Sequence, residues 1–143
     1  MSRSLLIICL LFAFLQCKNE DIEPLQNISS IVGKWRVVEY WRTSGDSTIT
    51  QTVSKEKSWV YEIRSDGIIL NENGNKPCCL PPKYFLNGKE FEPKPAKKVE
   101  LDPICALSLC ATCPELRITQ TSPDSITIET CPGYATVFIR ENI

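Results

Sequence analysis

Two hydrophobic patterns divide the chain. The first is a block: residues 5–15 (LLIICLLFAFL) are apolar without a break and follow Arg3. A helix needs about 20 such residues to cross a bilayer, so this shorter run behind a positive charge has the form of a secretion signal. The second pattern is alternation, the mark of β-strands. In residues 31–42 (IVGKWRVVEYWR), Trp35, Val37, Glu39 and Trp41 fall on one face of an extended chain. Arg36, Val38, Tyr40 and Arg42 fall on the other. Residues 47–53 are rich in threonine and predict a second strand. Residues 58–64 place Trp59, Tyr61 and Ile63 together. Ser65-Asp66-Gly67 predicts a hairpin turn into residues 68–70, because Asp-Gly tolerates the positive φ that such turns require. Three more strands end the chain at residues 115–120, 125–130 and 134–140, with Leu116, Ile118, Ile126 and Ile128 facing inward.

The middle follows neither pattern. Residues 76–96 carry five prolines and two cysteines. Proline cannot donate to a strand ladder, so irregular backbone is expected there. A short strand fits at residues 84–86 before Asn87-Gly88, and another at 97–101. Residues 102–114 form a cysteine-rich loop with room for a helical turn near Ile104 and Leu107. The total is about eight strands and no amphipathic helix after the signal. That predicts an all-β domain over residues 30–143, an antiparallel barrel with a Pro/Cys-rich insert at 71–114, or else an open β-sandwich. Residues 17–29 read as a flexible polar tether.

Charge narrows the function classes. Beyond residue 16 the chain has 15 basic and 17 acidic side chains, without the clustered basic excess that a nucleic-acid surface needs. It contains no histidine, which excludes Ser-His-Asp and Cys-His catalysis and His-ligated metals. No spacing of carboxylates selects an acid–base pair, so the reading is not an enzyme, with no cofactor and no metal.

Six cysteines follow residue 17: Cys78, Cys79, Cys105, Cys110, Cys113 and Cys131. An even set in an exported chain predicts three disulfides, with fifteen possible connectivities. Adjacent Cys78 and Cys79 are poorly placed to join each other. They are expected to reach two different partners, and Cys131 to join the 105–113 cluster. Two other readings exist for these residues. Cys110-Ala-Thr-Cys113 has the spacing of a redox dithiol, but it lies between Pro103 and Pro114 rather than at a helix start. A four-cysteine zinc site would need two knuckle pairs, and only one is present.

Two resemblances carry the reading further. Cys17, directly after the apolar run and before Lys18-Asn19-Glu20-Asp21, resembles the lipid-modified cysteine of bacterial lipoproteins. Gln16 departs from the small residue usual in that family. The likeness implies removal of residues 1–16, a lipid anchor on Cys17, and residence in the cell envelope at the outer membrane. The polar residues that follow are similar to those of outward-facing lipoproteins of Bacteroidetes. Gly33-Lys34-Trp35 resembles the G-x-W signature of lipocalins, and the whole layout is similar to lipocalin-like lipoproteins of the same phylum. That family implies an up-and-down barrel of eight strands, with Trp35 closing one end and Arg140 stacked over it. A barrel of this size is filled by its own side chains or holds one small ligand. Trp41, Trp59, Tyr61 and Phe138, with Trp35, are the candidates to line such an interior. The expected partners are therefore the membrane, through the lipid, and a small hydrophobic ligand. The alternative is a filled barrel with no ligand that contacts another protein.

Overall fold

A computed structural model describes residues 25–110 and 113–141. Cys17 and the apolar run lie outside the described residues. The sheet begins with β1 (Gly33–Ser44), the longest strand. After the Gly45 turn, β2 (Ser47–Thr52) runs back along its far half, from Ser44↔Ser47 to Glu39↔Thr52. Then β3 (Val60–Ile63) continues along its near half, from Arg36↔Val60 to Gly33↔Ile63. The two strands form one partner of β1, interrupted where a 3-10 turn at Lys55–Lys57 bends the chain away. Ser58 bridges the interruption by donating its hydroxyl to the Val37 carbonyl.

The next turn is built around a buried carboxylate. Asp66 is fully buried between β3 and β4 (Ile69–Leu70). Its Oδ2 accepts from Arg64 Nη2 at 2.6 Å and its Oδ1 from the Ile68 amide at 3.2 Å. Gly67 follows at φ +82°, where a Cβ would lie 3.2–3.3 Å from Leu25, Pro93 and Phe91. The turn therefore needs glycine for both its backbone angle and its space.

At the other end of the chain, β7 (Glu115–Ser122), β8 (Ser125–Cys131) and β9 (Tyr134–Arg140) form an antiparallel meander. β9 then pairs with β1, from Trp35↔Arg140 to Arg42↔Tyr134. Between the halves, β5 (Lys83–Leu86) and β6 (Lys89–Phe91) make a hairpin on Asn87-Gly88, both at positive φ as a two-residue turn of this kind requires. β5 lies parallel to β7. The strand order is β4-β3-β1-β9-β8-β7-β5-β6, with β2 beside β1, in one strongly curled sheet that forms a half-barrel.

This corrects the sequence expectation in three places. The sheet is mixed, not wholly antiparallel, because residues 87–114 supply the long crossover that a parallel pair needs. The strand expected at 97–101 is irregular, touching Lys76 only through an isolated bridge at Leu101. The end of the expected tether is part of the domain: Gln26–Ile31 is a 3-10 helix that buries Ile28 and Ile31 completely. Three residues apart, these two side chains share one face of such a helix.

Inside the curl, Trp35, Val37, Ile63, Leu116, Ile118, Ile126 and Phe138 pack with almost no exposure. Lys94 N donates to Asp66 O at 2.9 Å, tying the chain after β6 to the β3–β4 turn. Three disulfides brace the long connection: Cys78–Cys105, Cys79–Cys110 and Cys113–Cys131, each with Cα atoms 5.2 Å apart. Multiple disulfides are compatible with an extracytoplasmic location.

Candidate functional site

The family likeness directs attention first to Trp35. Its ring is fully buried, its Nε1 donates to Ile31 O at 2.7 Å, and the Arg140 guanidinium lies over it with 4.3 Å between Cζ and the ring centre. Arg140 also donates to three carbonyl oxygens, Val32 at 2.9 Å, Ser30 at 2.8 Å and Pro123 at 3.1 Å. A Cβ on Gly33 would lie 2.8 Å from Arg140 Nη1. The glycine of G-x-W thus clears the path of the arginine. This cluster is structural: Trp35 is fully buried, and the Arg140 guanidinium is taken up by the ring and by backbone carbonyls.

The aromatic residues expected to line an interior are dispersed instead. A β-bulge in β1 between Val37 and Glu39 shifts the alternation by one residue. Past the bulge it is Tyr40 that packs on the core, while Trp41 turns outward, 40% exposed, and donates its indole N–H to Glu39. Phe138 is buried in the packed core. Tyr61 stacks on Phe138 with centroids 5.7 Å apart, and Trp59, 40% exposed, leans on Tyr40 at 5.6 Å. Of the four candidates, only Trp59 and Tyr61 share an accessible surface.

That surface is a groove of about 670 Å³ between β3 and the disulfide-braced segment. Trp59, Val60 and Tyr61 form one wall, and Pro77, Cys78 and Ile104 the other. The loop after β4 closes it from the side and is held by a chain of hydrogen bonds. Asn71 Oδ1 accepts from the Asn73 and Asn75 amides, each at 3.0 Å. Its side-chain amide donates to Asp102, whose other oxygen caps Ile104 N at 3.0 Å. Glu72 accepts from Val60 N at 2.7 Å, which locks the loop to β3. The Cys78–Cys105 bridge holds the opposite wall. The charged side chains lining the groove are Glu72 and Asp102, both carboxylates.

Burial pushes the Tyr61 hydroxyl above its ordinary range, and burial together with the nearby Tyr61 does the same for Tyr40. Both phenols are neutral at physiological pH. Tyr40 Oη is buried with no hydrogen-bond partner.

The cysteine chemistry is resolved by the pairing. Cys110 and Cys113 belong to different disulfides, so C-x-x-C is not a redox dithiol here. Among the described residues, no cluster of three or more His, Cys, Asp or Glu is arranged to hold a metal ion. The groove residues Asn71, Glu72, Pro77, Asp102 and Ile104 carried no sequence signal of their own. Only the vicinal cysteines, expected to reach two different partners, hinted that this segment folds back on itself. Comparisons with protein-family models, with curated proteins and with solved structures find no match to this chain.

Proposed function

We propose that this protein is an exported, lipid-anchored, lipocalin-like module that holds a small, largely apolar ligand in the groove beside β3. The observation that carries the reading is the groove itself, with Trp59 and Tyr61 on one wall and a disulfide fixing the other. Apolar concave sites with a few fixed polar groups are the usual form of small-molecule sites. The lipocalin likeness is supported by Gly33-Lys34-Trp35, by Arg140 over Trp35 and by the pairing of first and last strands. The parallel β5–β7 pair is the departure from an up-and-down barrel. The packed core moves the ligand from inside the curl to its outer edge.

The same packed core favours a second reading, a protein-interaction lipoprotein with no ligand. Native mass spectrometry of the protein purified from its own envelope separates the two. A co-purified small molecule, retained by W41L and lost in W59L, is the expected result. Protein that carries no small molecule in any preparation supports the second reading and ends the first. The intact mass from the same experiment reports whether Cys17 carries acyl chains.

A further inference from the structure

The connection after β6 ends in a knob of exposed apolar side chains. Leu101 is 59% exposed, Ile104 63%, Leu107 87% and Leu109 fully exposed. Single exposed leucines are ordinary, but here four apolar side chains fall within nine residues; Leu101 and Ile104 each edge a cleft, and Leu107 and Leu109 stand freest. The knob is rigid. Its 3-10 helix Pro103–Leu107 is capped by Asp102, and Ser108 Oγ donates back to Ile104 O at 3.1 Å. The Cys78–Cys105 and Cys79–Cys110 bridges fasten it to the domain at two points. These four side chains are thus held in water by covalent bracing and are not floppy residues that failed to pack.

Two neighbours of the knob indicate what covers it. The first is charge: Lys94, Lys97 and Lys98 are all exposed just before Leu101, with Lys98 paired to Glu100 at 3.0 Å and Glu92 also exposed. The second is the entry of the chain. Leu25 N donates to Ser65 O at 2.9 Å, and the Leu25 side chain meets Gly67 beside Pro93, one residue from Lys94. Pro93, Pro95, Cys79 and Leu101 line one cleft, so chain entry, lysines and knob adjoin. Cys17 is eight residues before Leu25, a reach of at most about 29 Å.

We infer that this surface docks on the anionic face of a lipid bilayer, with Leu107 and Leu109 inserted at the headgroup boundary and Lys94 and Lys97 on lipid phosphates. The inference rests on the lipid-anchored reading above and adds to it a fixed orientation of the domain. A convex tip with separately projecting leucines suits a fluid interface, which needs no matching pocket. Each lysine close to an anionic surface strengthens binding about fivefold, an effect that falls with salt. Several backbone amides of the tip are already used: Ile104 N on Asp102 Oδ1 at 3.0 Å, Cys105 N on Asp102 O at 2.9 Å and Ser108 N on Cys105 O at 3.2 Å.

The test uses the full chain purified from its own envelope and reconstituted in vesicles of phosphatidylethanolamine and phosphatidylglycerol with brominated acyl chains. L107W places a fluorophore at the tip, and I49W places one at an exposed site on β2. Tryptophan emission is read relative to the parent protein, and flotation is read in parallel. The expected result is quenching and a blue shift for L107W but not for I49W, both lost in K94Q/K97Q. Flotation with L107W unquenched overturns the inference, and so does equal quenching at both sites. A blue shift of L107W in native envelope without quenching by brominated lipid identifies a protein cap and overturns it too. Failure of the parent protein to float removes the anchored reading and this inference together.

Discussion

Arg140 meets one aromatic face and three carbonyl oxygens, and each contact answers a need of the fold. The carbonyls of Ser30 and Val32 lie where the 3-10 helix hands over to β1, outside any strand ladder. Without a donor they would be under-satisfied. The ring of Trp35 has no room for water, and a guanidinium over it adds a cation–π attraction. R140A is expected to lower unfolding stability by about 3 kcal/mol, and R140K by about half as much, since an ammonium cannot reach all the acceptors. Urea midpoints at unchanged slope are the measurement. This cluster was legible in the sequence, because G-x-W and a terminal basic residue are local signals. Tyr40 was not. Its inward turn depends on a bulge at Val38, and nothing in the alternation of residues 35–42 announces an extra residue in the ladder.

At the scale of elements, the disulfides do two different things. Cys113–Cys131 joins the start of β7 to the end of β8 across a sequence separation of 18. Opening it with C113S/C131S should cost the sheet about 3 kcal/mol, read as a lower urea midpoint. Cys79–Cys110 lies outside the ladders and braces the groove and the knob. C79S/C110S should therefore raise amide hydrogen exchange across residues 76–102 while leaving β8 and β9 protected. The strands that alternate strictly were readable before the structure: β3, β7, β8 and β9 all lie within a residue or two of their expected ranges. The middle was readable only in pieces: the short strand before Asn87-Gly88 and the helical turn at Ile104 and Leu107 were expected, the path between them was not. Its course is set by cysteine pairing and by a parallel contact between β5 and β7, and neither leaves a periodic trace. The groove inherits that opacity, because one wall is a strand and the other is loop.

For the whole molecule, three phenols packed in or against the core set an alkaline limit. Burial raises the hydroxyls of Tyr40, Tyr61 and Tyr84 above their ordinary value near 10. A raised acid holds its proton longer in the folded state, so above about pH 10 the native protein binds more protons than the unfolded chain. Stability is then fully present below that pH and declines as pH rises through the folded values. Urea midpoints followed from neutral to alkaline pH should show this decline, and Y40F/Y61F/Y84F should flatten it. Y40F alone should be neutral or slightly stabilising, since it removes a buried hydroxyl with no partner.

The seam between β1 and β9 has a consequence in time. Trp35 pairs with Arg140, so the first strand of the domain waits for the last. Contacts this distant along the chain close slowly. While the C-terminal strand is still missing, Trp35 lacks its guanidinium lid and β1 has an open edge. A domain so arranged stays unfinished until β9 has been made and has joined β1.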